Sequence, residues 1–349
     1  MTDPALSQTA PHPPAVDGPA ARERARLEWS RAATGEPALE LVRASADAGF
    51  RSYWRGVRAD GRTVVVMDSP PDREDVRPWL ALRDVLEAGG VRVPRVLARD
   101  VDAGFLVLED LGVETLLQVI DASNADAHFD TAIGQLLRVQ AIDCPADLPE
   151  YDEAMLAREL RLFDEWFLGR HLGVTLDCTD LETLDLVYRR LIDNALVQPK
   201  VLVHRDFMPR NLMPVDGGPA VLDFQDAVRG PVAYDALSLF KDAFLSWPEA
   251  RVDAWLDAYH ARALAAGLPV PPLARFRRDA DFIGVQRHLK VLGIFARLCH
   301  RDDKPRYLAD APRFLAYLDA VVPRHPELAP LMRVLDRHVR PALQAGAGA

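Results

Sequence analysis

The residues that first suggest chemistry lie between positions 204 and 225. His204-Arg205-Asp206 is followed, five residues after the aspartate, by Asn211, and twelve residues beyond that by Asp223-Phe224-Gln225. Phosphoryl transfer requires a group to accept or orient the nucleophile's proton, and oxygen ligands to hold Mg2+ against nucleotide phosphates. This stretch offers carboxylate and amide oxygens for both tasks. A lone aspartate in a loop is ordinarily a turn or cap residue. It is the joint pattern within the 20 residues from His204 to Asp223, polar loop, hairpin and carboxylate at a strand end, that points to catalysis.

Such side chains need a scaffold that presents a loop and the ends of strands. Val201 to His204, Leu212 to Val215 and Ala220 to Phe224, with Asp216-Gly217-Gly218 between the last two, predict three short strands around the loop. The surrounding pattern is helical, with helices expected at about 131–141, 153–171, 180–197, 234–246, 250–266, 273–299 and 310–321. Upstream, Tyr53-Trp54 and Val64 to Met67 flank an Asp60-Gly61 hairpin tip. A helix from Val76 to Ala88 stops at Gly89-Gly90, and strands follow at Arg95 to Arg99 and Phe105 to Glu109. Ala21 to Ser30 and Pro37 to Ala46 read as lead-in helices, and residues 1–20, rich in Pro and Ala, as a disordered tail. The predicted fold class is α+β. A small antiparallel sheet with one helix fills 21–110, and a larger, mainly helical part fills 111–349.

The spacing H-R-D-x-x-x-x-N resembles the catalytic loop of protein-kinase-like phosphotransferases, and Asp223-Phe224-Gln225 stands where they carry D-F-G. The resemblance implies a bilobal protein-kinase-like fold with ATP as phosphoryl donor. It also implies Asp206 as the base, Asn211 and Asp223 as Mg2+ ligands, and His204 and Arg205 as braces of the loop. A peptide acceptor does not fit. After Asp223 the chain enters a helix at about Tyr234 with no long activation segment and no A-P-E motif. Asp235 sits where related small-molecule kinases carry an aspartate that tethers the loop.

The nucleotide end departs from the pattern. The lysines, Lys200, Lys241, Lys290 and Lys304, all lie at or beyond position 200, so the strand ending at Met67 lacks the lysine that normally contacts the α/β-phosphates. Arg51 and Arg55, with Arg58, are the nearest substitutes; metal and backbone amides are the alternative. They lie in or beside the segment Gly49 to Gly56, which occupies the glycine-loop position without matching G-x-G-x-x-G. Glu109 and Leu111 are expected at the hinge that reads adenine.

Nearly all of the chain beyond the tail resembles the aminoglycoside phosphotransferase-like superfamily, whose members phosphorylate aminoglycosides, choline, homoserine and several sugars. Within it, Val66 to Pro71, His204 to Met213, Asp223 to Asp242 and Gln286 to Leu298 are similar to the anomeric N-acetylmuramate/N-acetylglucosamine kinases of bacterial cell-wall recycling. That similarity implies transfer of the γ-phosphate of ATP to the C1 hydroxyl of an amino sugar. The lactyl carboxylate of N-acetylmuramate calls for a cation, for which Arg287-His288-Lys290 is the candidate, with a charged helix face as the competing reading. Trp166 offers a ring to stack on a pyranose, or else a core residue. An aminoglycoside acceptor shares the catalytic residues and differs in the pocket. A nucleotide-binding pseudokinase is the reading from another class, motivated by the missing lysine and opposed by intact Asp206, Asn211 and Asp223.

Composition narrows the partners. The 349 residues are 49% hydrophobic and 27% charged, with a net charge of -10, which gives no basic footprint for nucleic acid. Cys144, Cys178 and Cys299 show no CxxC spacing and no disulfide framework. No apolar run approaches the roughly 20 residues of a membrane span, and the N-terminus lacks the layout of a secretory signal. The expectation is a cytoplasmic enzyme; a monomer is compatible with everything in the sequence.

Overall fold

The computed structural model describes residues 18–46 and 50–346. Most of the expected terminal tail, and Gly49 of the expected phosphate loop, lie outside the described residues. Two compact units emerge, one of residues up to 115 together with 213–225, the other of 116–212 together with 226 onward.

The first unit is built on a sheet of five antiparallel strands, β1 (Leu41–Ala46), β2 (Ser52–Val57), β3 (Thr63–Asp68), β4 (Val96–Asp100) and β5 (Phe105–Glu109), in the order β1-β2-β3-β5-β4. Gly61, at φ 82°, turns the β2–β3 hairpin in a conformation that other residues resist. The helix α1 (Pro19–Thr34) packs Trp29 against Val64, Val66, Phe105 and Val107, the inward set of a period-two pattern. Asp68 at the end of β3 fixes that helix: it accepts from Arg22 at 2.7 Å and from Arg26 at 3.0 Å. The helix α2 (Arg77–Ala88) buries Trp79, Leu80, Leu82 and Leu86.

Two expectations fail here. Pro37 to Ala46 is not helical; its second half is β1, paired with β2 from Leu41 opposite Gly56 to Ala46 opposite Ser52. A ten-residue segment is too short to hold a helix unaided, whereas the open edge of β2 satisfies its backbone donors. Residues 213–225, expected within the second part, belong to the first unit. Val221 N donates to Arg92 O at 2.7 Å, and Phe224 packs on Trp79 with ring centroids 5.1 Å apart. The strand expected at Ala220 to Phe224 ends at Val221, because Asp223 takes φ 63°, which no strand accommodates.

The second unit is mainly helical: α3 (Leu116–Val119), α4 (Ala125–Gln140), α5 (Glu153–Leu162), α6 (Cys178–Val197), α7 (Ala233–Phe240), α8 (Glu249–Ala265), α9 (Leu273–Asp302) and α10 (Ala311–Val321), with short helical turns from Val322 to Gly346. The N-cap of α5 is Asp152, whose carboxylate accepts Met155 N at 2.8 Å. At Leu162 the helix widens into a π-helical stretch, Phe163–His171, where one α-helix is expected. Gly293 of α9 crosses at this point: an added Cβ would lie 2.3 Å from the Leu162 carbonyl carbon, so only glycine allows the approach. The helix expected at 234–246 stops at Phe240, because Asp242 accepts the backbone N–H of Leu245 at 3.1 Å and of Phe244 at 2.5 Å, closing a turn instead. The strand Lys200–Val203 pairs antiparallel with Val228–Pro231, a strand with no counterpart among the expectations, and delivers the chain to the loop of interest.

Candidate active site

The loop from His204 to Asn211 is pinned by its own backbone and by one buried carboxylate. Asp235, fully buried on α7, accepts His204 N at 2.6 Å and Arg205 N at 3.0 Å. Arg205 is left-handed at φ 73°, a conformation that a non-glycine residue holds only when its surroundings impose it. The two backbone N–H groups that lead into that strained residue are tied down by Asp235. Next, the Asp206 carbonyl receives Met208 N at 2.9 Å and Asn211 Nδ2 at 2.9 Å, and Asp206 N donates to His204 Nδ1 at 3.3 Å. The loop is therefore a closed set of short bonds with a half-buried Asp206 at its centre. Burial pushes the Asp235 carboxyl up to about 7, against the backbone donors of His204 and Arg205 that favour its ionised form, and the neighbouring Asp206 adds to the upward push.

Behind Arg205 stands a charged hub. Glu159, buried on α5, accepts from Arg205 Nη2 at 2.5 Å and pairs with Lys290 Nζ at 2.9 Å. Its other oxygen receives the Tyr151 hydroxyl and, at 3.2 Å, Gln286 Nε2. Lys290 also donates to the Tyr234 hydroxyl at 3.2 Å. Burial alone pushes Glu159 up, but Lys290 and Arg205 outweigh it and hold the carboxyl below its ordinary value. Burial alone pulls Lys290 down, and Tyr234 and Glu159 reverse it, so its pKa is raised. Glu159 thus joins α5, α9 and the loop through ionised partners. The sequence does carry a signal for it: Glu159 occupies the apolar stripe of α5 with Leu156 and Leu160, where an unpaired carboxylate is not tolerated.

The cluster Arg287-His288-Lys290 is not a surface face. Arg287 is 2% exposed, His288 fully buried and Lys290 8% exposed. His288 lies inside the helical core, stacked on Tyr317 with centroids 4.8 Å apart, where no acceptor from solvent reaches it. Burial, with Lys241 and Arg287 adding to it, drives its pKa well below the usual histidine value, so it is a neutral ring. The reason is the environment of α9, whose buried face runs unbroken from Phe282 to Gly293. Trp166 sits half-buried on the π-helical stretch.

In the first unit, Asp223 keeps its left-handed backbone while Gln225 Nε2 donates to its Oδ1 at 2.7 Å. The residues expected at the nucleotide are engaged with opposite charges. Arg51, 7% exposed, pairs with Glu74 at 3.0 Å. Arg55 grips Asp110 with Nε at 2.6 Å and Nη2 at 3.0 Å, and reaches Gly112 O at 2.7 Å. Glu109 receives Arg92 at 2.6 Å and Arg95 at 3.2 Å, which together hold its carboxyl below the usual range despite the opposing effect of burial. Leu111 is half-buried just beyond. Asp206, Asn211, His204, Arg205, Asp235 and Lys290 thus share one bonded network in the second unit, while Asp223, Arg51, Arg55, Glu109 and Leu111 belong to the first.

Residues 40–277 match the model of the phosphotransferase enzyme family. The chain is 53% identical over 314 residues to an N-acetylmuramate/N-acetylglucosamine kinase of Pseudomonas putida, covering 90% of this chain and 91% of the relative. It is 45% identical over 312 residues to one of Neisseria meningitidis serogroup B, covering 88% and 93%. Among solved structures, an ADP-bound aminoglycoside phosphotransferase shares the fold with a TM-score of 0.57 at 16% identity, covering 84% of this chain and 97% of that one.

Proposed function

The chain belongs to the phosphotransferase enzyme family, and from that premise we propose that it is an ATP-dependent kinase that phosphorylates the C1 hydroxyl of N-acetylmuramate and N-acetylglucosamine in the cytoplasm during peptidoglycan recycling. The observation that carries the acceptor class is the 53% identity, over nearly the whole length of both chains, to kinases that bear those two sugars in their names.

In this reading the half-buried Asp206 orients the C1 hydroxyl and receives its proton late. An anomeric hydroxyl is more acidic than an ordinary alcohol, so a carboxylate suffices. The sugar oxygen forms its bond to the γ-phosphorus as the bond to the β–γ bridging oxygen breaks, and ADP leaves with that electron pair. Asp235 and the Glu159 hub hold the loop so that Asp206 need not reorganise during the transfer.

Asn211 and Asp223 fit Mg2+ as a hard-oxygen donor set. With Asn211 Nδ2 bonded to the Asp206 carbonyl, the amide's oxygen lies on the opposite side of its carboxamide, and Asp223 is held in a strained backbone that its surroundings maintain. Mg2+ held by these two residues would neutralise charge on the nucleotide phosphates. Arg51 and Arg55 are bound to Glu74 and Asp110, which favours metal and backbone amides over an arginine in the role of the absent lysine. Glu109 and Leu111 line the adenine hinge.

The test is ADP release from Mg-ATP in the presence of N-acetylmuramate, N-acetylglucosamine, kanamycin or choline. Turnover with the two amino sugars alone is expected. Turnover with kanamycin alone supports an aminoglycoside acceptor, and silence with all four, with ATP still bound, a regulatory nucleotide-binding module.

A further inference from the structure

Between Asp206 and Asn211 the loop carries an exposed arginine, Arg210. Its guanidinium carbon lies 5.0 Å from the centre of the Phe244 ring. A second exposed arginine, Arg306, stands 5.2 Å from the centre of the Tyr307 ring. The Phe244 and Tyr307 rings are 6.5 Å apart, with the buried Phe295 at 6.2 Å and 5.4 Å from them. All five residues belong to the second unit.

The arrangement is electrostatically incomplete. Neither Arg210 nor Arg306 has a carboxylate partner among the described residues, in a chain of net charge -10 whose other buried and loop arginines mostly do. Two guanidiniums held against a pair of neighbouring rings repel each other, and an anion taken by both would relieve that repulsion. Burial pushes the Tyr307 hydroxyl up, yet the two arginines outweigh it and its pKa lies below the ordinary phenol value, as concentrated positive charge requires. Planar guanidinium forks match a carboxylate in two-point fashion, and aromatic faces accept the apolar face of a pyranose. Four residues of chain place the Arg210 backbone at most about 14 Å from that of Asp206.

We propose that Arg210, Arg306, Tyr307 and Phe244 form the acceptor's anion subsite, in which the two guanidiniums take the lactyl carboxylate of N-acetylmuramate and the adjoining rings offer the sugar one apolar wall. The proposal rests on the amino-sugar kinase reading and locates in this patch the cation that the buried Arg287-His288-Lys290 cluster does not expose. It also makes Arg306 a specificity-determining residue rather than a catalytic one.

N-acetylmuramate and N-acetylglucosamine differ by the lactyl ether, so the ratio of their kcat/KM values isolates the subsite. Steady-state kinetics on the wild type, Arg306→Gln, Arg306→Glu and Arg306→Lys measures it. Loss of one charge-assisted contact is expected to lower the ratio about tenfold in Arg306→Gln, through KM. Arg306→Glu lowers it further, and Arg306→Lys recovers part of it. Arg306 is exposed, so its replacement leaves the core untouched; Arg210→Gln should shift the ratio in the same direction. A ratio within about twofold of wild type in both Arg306→Gln and Arg306→Glu overturns the subsite and leaves the kinase reading standing. A wild-type protein that phosphorylates neither sugar overturns that reading, and the subsite with it.

Discussion

Removing the charge of Glu159 should be far more damaging than removing that of Lys290, although the two are partners 2.9 Å apart. Glu159 satisfies two buried or half-buried cations, Arg205 and Lys290, whereas Lys290 shares Glu159 with Arg205, Tyr151 and Gln286. Glu159→Gln keeps the shape and leaves Lys290, 8% exposed, with neutral acceptors alone, the glutamine carbonyl and the Tyr234 hydroxyl at 3.2 Å. Breaking a buried pair in this way typically costs about 3–5 kcal/mol. Lys290→Met leaves Glu159 with three donors, so the expected loss is about 1–2 kcal/mol. The double variant removes one of the two cations that Glu159→Gln leaves without a carboxylate and should be more stable than Glu159→Gln alone. Urea unfolding followed by circular dichroism gives all three values. The reasoning is refuted if Lys290→Met costs as much as Glu159→Gln, or if the double variant loses the sum of the two. Because the same carboxylate holds Arg205 beside Asp206, Glu159→Gln should also lower kcat with KM for ATP nearly unchanged.

Three other consequences can be measured. Asp206→Asn should reduce turnover at least about a hundredfold while ATP affinity, by isothermal titration, stays within about threefold of wild type; substantial residual turnover removes Asp206 from the proton-accepting role. Gly293→Ala forces a Cβ onto the Leu162 backbone, and overpacking of that kind should cost about 2 kcal/mol in urea unfolding despite the better helix propensity of alanine; an unchanged midpoint contradicts the close approach. Asp235, whose folded pKa is raised to about 7 by burial, contributes stability that is fully present below its unfolded value and lost as pH rises through 7. Wild type should therefore lose stability relative to Asp235→Asn between about pH 4 and 7, and parallel pH profiles of the two proteins would contradict that assignment.

Local punctuation made much of the first unit legible. Asp60-Gly61 announces the β2–β3 hairpin and Gly89-Gly90 ends α2, both through backbone conformations that glycine permits. The edge strand β1 was not legible, since its six residues exist as a strand only by pairing with β2. The hairpin of residues 213–225 follows the His204–Asn211 loop in sequence but packs by Phe224 and Val221 on elements more than a hundred residues earlier, which no local pattern conveys.

The candidate site divides the same way. His204 to Asn211 is a local constellation, and its bonds span five residues or fewer apart from the anchor at Asp235 and the side-chain bonds of Arg205. Glu159 lies 46 residues from Arg205 and its role appears only when α5, α9 and the loop meet. Arg287 and His288 misled because helical periodicity distinguishes one face from another only when one face is wet, and that stretch of α9 is buried all round. Arg306 and Tyr307 gave no signal of their own, since they join Arg210 and Phe244 from a separate turn, Pro305–Asp310.

The central claim is the identity of the hydroxyl that receives the phosphate. Phosphorus NMR of the product formed from Mg-ATP and N-acetylglucosamine reads it directly, through coupling of the new phosphorus resonance to the sugar proton on the same carbon. The account predicts a single phosphomonoester coupled to the anomeric proton. Coupling to the protons at C6 or to another ring proton, with none to the anomeric proton, would contradict it.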